Sequence, residues 1–254
     1  MSATETPLIL SIETATRAGS VALARGARLL AAHAGDATVS HSSNLLRYVG
    51  EALEEGGVTL GEVELFAAAV GPGSFTGLRI GLATVKSFAA TLGRSCVGVP
   101  SLHAVARAAG ESERTLALLP AGRGEVFAQL LKVDGAGDVH QLEEPAHVTP
   151  RRLLERFAKV RPLRWAGEGA LAHAEAIGAQ ALSAGIPFSR DGESVSDNRG
   201  LEDWTLAEPN RILAVDVAGL ALLRARAAEV VSPGQLRAVY VRPSDAELNE
   251  RCRE

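Results

Sequence analysis

The run Gly71-Pro72-Gly73-Ser74-Phe75-Thr76-Gly77-Leu78-Arg79 holds the residue types and spacing best suited to chemistry in this chain. An apolar stretch from Leu65 to Val70 precedes it, and from Leu78 to Leu92 apolar residues recur at helical spacing. The pattern predicts a strand, a tight turn and a helix. Gly71, Gly73 and Gly77 permit positive φ or close backbone approach, Pro72 fixes one φ, and Ser74 or Thr76 can cap the helix with a side-chain oxygen. Such a turn can aim N–H groups and the positive end of the helix dipole at a phosphate or carboxylate. It can equally be a tight, well-capped connection, and its spacing is neither Walker A nor the Rossmann fingerprint. Ser74 invites a nucleophile reading, but the frame is not the Gly-x-Ser-x-Gly elbow and no acid and histidine follow in recognisable order.

Metal chemistry finds little support. The six histidines, His33, His41, His103, His140, His147 and His173, include no pair at the close helical spacing that sets two imidazoles on one ion. His41 reads as a contact at a helix start. Cys96 and Cys252 lie far apart without metal-type pairing, which suits reduced thiols better than a disulfide framework. At 254 residues, 46% hydrophobic and 22% charged, the chain has the composition of an ordinary globular protein. A formal net charge of -4 argues against the whole molecule acting as a basic clamp on nucleic acid. The densest basic segment, Arg151, Arg152, Arg156, Lys159, Arg161 and Arg164, fits the solvated face of a helix. Met1 to Pro7 lacks a leader pattern and no stretch is long and apolar enough to span a bilayer, so a soluble cytoplasmic protein without membrane contact is expected.

These residues need elements to position them. Leu8 to Ser11 and Ser20 to Ala24 predict a hairpin across the polar turn Ile12 to Gly19, whose threonines can bond nearby backbone. Leu29 to Ala34 supplies a third strand. Ser42 or Ser43 can cap a helix to Glu55, striped by Leu45, Leu46, Val49 and Leu53 and ended by Gly56-Gly57. After the glycine loop come a strand at Cys96 to Val99 and a helix at Leu102 to Ala109. Thr115 to Leu119 and Glu125 to Val133 restart the β pattern. Helices are then expected from Thr149-Pro150 to Phe157, over Leu171 to Leu182 and over Ile212 to Val230. A strand is expected at Leu163 to Ala166, a polar loop at Ser189 to Trp204, and a short extended piece at Ala238 to Val241 before a charged tail. Two α/β lobes follow from this order, with a first lobe at 1–104, a smaller second lobe at 105–211, and a C-terminal helix and tail at 212–254 packing back on the first.

Together, Ile12-Glu13-Thr14-Ala15-Thr16 with Val21-Ala22-Leu23, His41-Ser42 with Leu45-Leu46, the glycine loop with Gly81-Leu82-Ala83, and Val99-Pro100-Ser101-Leu102 resemble the TsaB (YeaZ) family. Arg123-Gly124-Glu125-Val126-Phe127 and Val239-Tyr240-Val241-Arg242 extend the resemblance toward the C-terminus. It is concentrated in the first 105 residues and diffuse beyond 130. It implies the two-lobed α/β fold of actin, Hsp70 chaperones and sugar kinases (the ASKHA fold). It also implies a part in making N6-threonylcarbamoyladenosine beside the anticodon of tRNAs reading ANN codons. The implied role is a non-catalytic scaffold for the paralogous subunit TsaD, with the ATPase TsaE as a further partner, tRNA contacted through the complex, and a homodimer when TsaD is absent.

Active members of the fold use an acid in the first hairpin followed closely by glycine, so that a metal-bound nucleotide can approach the backbone. Here Glu13-Thr14-Ala15 has no glycine, and Leu119-Pro120-Ala121-Gly122-Arg123 lacks the aspartate many relatives carry there. A degenerate nucleotide site of Glu13, Thr14, Gly71, Gly73 and Ser74 is therefore expected, with no cofactor required, at most weak nucleotide binding and no catalytic residue. The resemblance assigns partner binding to Leu45, Leu46, Val49, Phe75, Leu78, Arg79, Leu82 and Lys86. On that assignment Leu82→Glu would leave the chain folded and abolish TsaD binding. An independent ATP-dependent small-molecule kinase is the competing expectation.

Overall fold

The computed structural model describes residues 6–38, 41–191, 203–208, 210 and 212–241, with the side chains of 41–43 left aside. Two sheets carry it. The first has the order β3-β2-β1-β4-β5, built from β1 (Leu8–Glu13), β2 (Ser20–Arg25), β3 (Arg28–Ala34), β4 (Leu65–Gly71) and β5 (Ser95–Pro100). β1, β2 and β3 form an antiparallel meander, and β4 and β5 add in parallel on the far side of β1. Parallel strands need crossovers, here α1 (His41–Glu55) with a 3-10 turn at Leu60–Glu62, and α2 (Phe75–Leu92).

The second sheet repeats this plan. β6 (Ser112–Gly122) and β7 (Glu125–Val133) pair antiparallel, and β8 (Val139–Gln141) and β9 (Ala146–Val148) both add to β7. On the other side β10 (Leu163–Ala166) runs parallel to β6, followed by β12 (Trp204–Leu206) and β11 (Phe188–Arg190). The helices of this half are α4 (Pro150–Phe157), α5 (Glu168–Ala172) and α6 (Ala174–Ser183). α3 (Ser101–Ala108) and α7 (Ala214–Arg226) lie between the sheets, α7 against β1 and β2 and α3 against β6, β7 and α7.

The alternation of side chains along each strand sets the layering. Leu8, Leu10 and Ile12 of β1 and Phe66, Ala68 and Val70 of β4 face outward, onto Leu45 and Val49 of α1 and Leu82 and Val85 of α2. Ile9, Leu65, Ala67 and Ala69 face the other way, into a core shared with Leu102, Leu119, Leu131 and Val217. Both faces of β1 and β4 are thus covered, which is why they read as unbroken apolar runs. Trp165 and Trp204 meet edge to face, 5.1 Å between centroids, in a third core under α4 and α6.

Several sequence expectations need correction. The turn of the first hairpin is shorter than Ile12 to Gly19, because Ile12 and Glu13 still pair with Val21 and Ser20. α1 begins at His41, so Ser42 and Ser43 lie inside it rather than capping it. The helix expected over Leu171 to Leu182 is two helices broken at His173, whose φ of -116° and ψ of 18° interrupt the ladder. The polar loop at Ser189 to Trp204 is bounded by strands: Ser189 lies in β11 and a fully buried Trp204 opens β12, while 192–202 lie outside the described residues. α7 is shorter than expected, closing at Arg226 rather than Val230. Arg242, the charged tail and Cys252 are outside the described residues. Cys96 is a free, buried cysteine whose thiol burial pushes up to about 11, leaving it inert at neutral pH.

Candidate functional site

The cleft where an ASKHA protein would hold its nucleotide opens at the β1–β2 turn, the glycine loop, and the start of α5. Glu13 ends β1 and is 1% exposed. Its carboxylate does not face the cleft as a free acid. Oε1 accepts from the Thr16 backbone N–H at 2.7 Å and Oε2 from the Thr16 hydroxyl at 2.8 Å. Burial raises its pKa against the opposing effect of the Thr16 hydrogen bonds, and the charge of Glu168 adds to the rise. Glu168, at the start of α5, is likewise raised by burial, with Arg17 opposing.

The glycine loop resolves as a tight, well-capped connection. Gly71 has φ +112°, and a Cβ on it would come within 2.4 Å of the Val239 carbonyl oxygen, so only glycine fits. Its N–H donates to Ser101 Oγ at 3.1 Å. The Ser74 N–H donates to the Ala15 carbonyl at 2.8 Å, and Ser74 Oγ caps α2 by accepting from the Gly77 N–H at 3.2 Å. These donors serve the chain itself. A Cβ at Gly73 would lie 2.6 Å from both Ala15 Cβ and Ala15 O, so loop and hairpin are in contact where a phosphate would otherwise enter. Thr14 Oγ1 sits 2.2 Å from where a Cβ of Gly81 would be, which locks α2 to the same turn. Leu119, Gly167, Glu168, Asn210 and Leu213, beside the start of α5, line a small cavity of about 10 Å³, room for a single water. Glu13, Thr14, Gly71, Gly73 and Ser74 are thus brought near one another, but Glu13, Gly71 and Ser74 spend their hydrogen bonds on Thr16, Ser101, Ala15 and Gly77, and the set does not fit a metal-bound nucleotide. Among the described residues no three His, Cys, Asp or Glu side chains are grouped to hold a metal ion.

The residues assigned to a partner divide in two. Leu45, Val49, Leu78 and Leu82 are 5%, 4%, 1% and 7% exposed and belong to the chain's own core. They are corrected to core residues, because the apolar stripe of each helix is spent on the first sheet. Leu46, one position round α1, is 64% exposed. Arg79 is exposed, its guanidinium 3.8 Å over the Phe75 ring, and Phe75 in turn meets Tyr240 at 5.3 Å. Lys86 is half-buried further along α2. The C-terminal segment is therefore part of this surface, held to β4 by the Val239 N–H on the Val70 carbonyl at 2.7 Å. Composition gave no sign of that pairing, nor of Thr16 as the partner of Glu13.

Two sheets of matching plan, each an antiparallel meander extended by parallel strands, with helices between and outside them, define an α/β protein of the two-lobed ASKHA class. A family model described as "TsaD: tRNA N6-adenosine threonylcarbamoyltransferase" matches residues 35–244. The tRNA threonylcarbamoyladenosine biosynthesis protein TsaB of Escherichia coli is 33% identical over 155 residues, 60% of this chain and 67% of that protein. The solved YeaZ from Pseudomonas aeruginosa superposes with a TM-score of 0.70 at 25% identity, covering 92% of this chain and 99% of that one. A tRNA N6-adenosine threonylcarbamoyltransferase of Sphingopyxis alaskensis is 29% identical over 203 residues, 72% of this chain but only 58% of the enzyme. The chain belongs to the TsaB (YeaZ) family, within the broader TsaD-like group.

Proposed function

We propose that this protein takes part in tRNA threonylcarbamoyladenosine formation as a docking subunit that activates TsaD, with TsaE as a further partner, and performs no transfer of its own. The observation that carries this reading is the closure of Glu13 onto Thr16, together with the contact of Gly73 on Ala15. The acid that would direct a metal is engaged within its own turn, and the path of the phosphates is filled by backbone. What α1 and α2 retain for a partner is an exposed apolar residue, Leu46, and the Phe75–Arg79 pair beside Tyr240. TsaD has the same lobe, so the same surface can join two copies of this chain when TsaD is absent. Activation requires that docking favour one state of TsaD over another. tRNA is then met through the assembled complex in the cytoplasm, without membrane contact.

The test is tRNA modification reconstituted from TsaD, TsaE and the adenylate-forming enzyme, with and without this chain, beside ATP turnover by this chain alone. Modification that depends on the chain, undiminished by Glu13→Gln, is expected. Turnover by the isolated chain that Glu13→Gln abolishes would instead make it a kinase.

A further inference from the structure

The second lobe contains a cavity of about 220 Å³ between β7 and α4, remote from the cleft and from the exposed parts of α1 and α2. That is many times the room one water needs and a little below the usual range of ligand pockets. Its walls are apolar: Leu116 and Leu130 from the sheet, Leu153 and Phe157 from α4, all buried. Its polar groups fall into two kinds. Arg156 is ion-paired with Glu143 at 2.9 Å and lies 5.3 Å from the Phe157 ring centroid, and buried Gln129 donates its side-chain amide to the Glu143 carbonyl at 3.0 Å. These groups are satisfied and brace the wall. Arg152 and Glu144 also line the cavity, and neither has a hydrogen-bond or ion-pair partner among the described residues.

A small apolar chamber whose mouth carries one unengaged cation and one unengaged anion is complementary to a zwitterion with an apolar side chain. We propose that this cavity binds a free apolar α-amino acid of about the size of leucine, its carboxylate on Arg152, its ammonium group on Glu144 and its side chain against Leu153 and Phe157. A simple anion or cation would engage only one of the two charges and would leave the apolar walls unused. A polar amino acid would bury unpaired groups against the leucines.

The full-length chain is titrated with leucine by calorimetry, and with two analogues each lacking one charge, isoamylamine and N-acetyl-leucine. Saturable leucine binding is expected, weakened at least about tenfold in Arg152→Gln and separately in Glu144→Gln, and at least about tenfold weaker for each analogue. Both positions are exposed, so the melting temperature without ligand should match that of the unmodified chain, which separates lost binding from lost folding. Absence of saturable binding overturns the proposal. So does binding that both substitutions leave unchanged, or that either analogue reproduces.

Discussion

Glu13 is an acid at a position where the fold uses acids, and its chemistry is decided three residues later. A buried carboxylate that loses a donor bears a desolvation penalty of about 1–3 kcal/mol. Thr16→Val, which removes the hydroxyl donor and keeps the shape, should therefore lower stability by that amount in urea titrations at pH 7. Glu13→Gln should be neutral or stabilising there, since its amide oxygen can still accept from the Thr16 N–H, its NH2 can donate to the Thr16 hydroxyl oxygen in a reversed bond, and a charge that burial disfavours is removed. Asp216 on α7 gives a second titration. Burial raises its pKa to about 6 against the opposing charge of Arg107, 3.9 Å away, and the hydrogen bond from Asn210 at 2.9 Å. Its native state holds the proton more tightly than the unfolded chain does. Its stabilising contribution is full below pH 4 and is lost as pH rises through about 6. Asp216→Asn should accordingly gain on the order of 3 kcal/mol relative to the unmodified chain between pH 4 and pH 8, read from urea titrations at each pH. Glu13 could be singled out in the sequence by its type and place. Its partner could not, because Thr14 and Thr16 are equal candidates until the turn's path is known, and Asp216 and Arg107 are more than a hundred residues apart.

α1 and α2 show what helical periodicity does and does not determine. The stripes of Leu45, Val49, Leu78 and Leu82 were legible at their spacing, and so were the Ser74 cap of α2 and the Gly56-Gly57 end of α1. A stripe says which face is apolar, not what covers it. Here the outward side chains of β1 and β4, Leu8, Leu10, Ile12 and Phe66, cover Leu45, Val49 and Leu82, and Leu78 turns into the core between the sheets. Leu82→Glu would therefore place a charge in the core and unfold the lobe, and Leu82→Ala should itself cost about 2–5 kcal/mol. The position that separates docking from folding is Leu46. Leu46→Glu should leave the urea midpoint unchanged, since the side chain is 64% exposed, and should weaken TsaD pull-down and the dependent tRNA modification at least about tenfold. Unaltered modification with Leu46→Glu would take this face of α1 out of the contact.

At the scale of the whole molecule the question is whether the two lobes fold as one. The restart of the β pattern after residue 110 made two lobes legible, and their repeated topology bears it out. What the sequence could not convey is that α3 and α7 are shared. Both are short and alanine-rich, with no periodic sign of having two sheets to face, yet one continuous core runs from Ile9 and Ala67 through Leu102 and Val217 to Leu119 and Leu131. Ser11 and Ser20 fasten α7 further, through a bond from Ser11 Oγ to the Ala214 carbonyl at 2.7 Å and one from the Ala214 N–H to Ser20 Oγ at 3.0 Å. A core without a seam predicts a single cooperative transition. The chain supplies its own reporter, because both tryptophans, Trp165 and Trp204, lie in strands of the second sheet. Phe66→Ala, at a fully buried position on the far side of the first sheet, should remove about 3–5 kcal/mol. If the lobes are coupled, tryptophan fluorescence and far-UV circular dichroism will share one urea midpoint, and Phe66→Ala will lower both equally although no tryptophan is near it. A fluorescence midpoint that stays put while the dichroism splits would mean lobes that unfold separately, and a partner docked on α1 and α2 would then have no route through the core to the cavity in the second lobe.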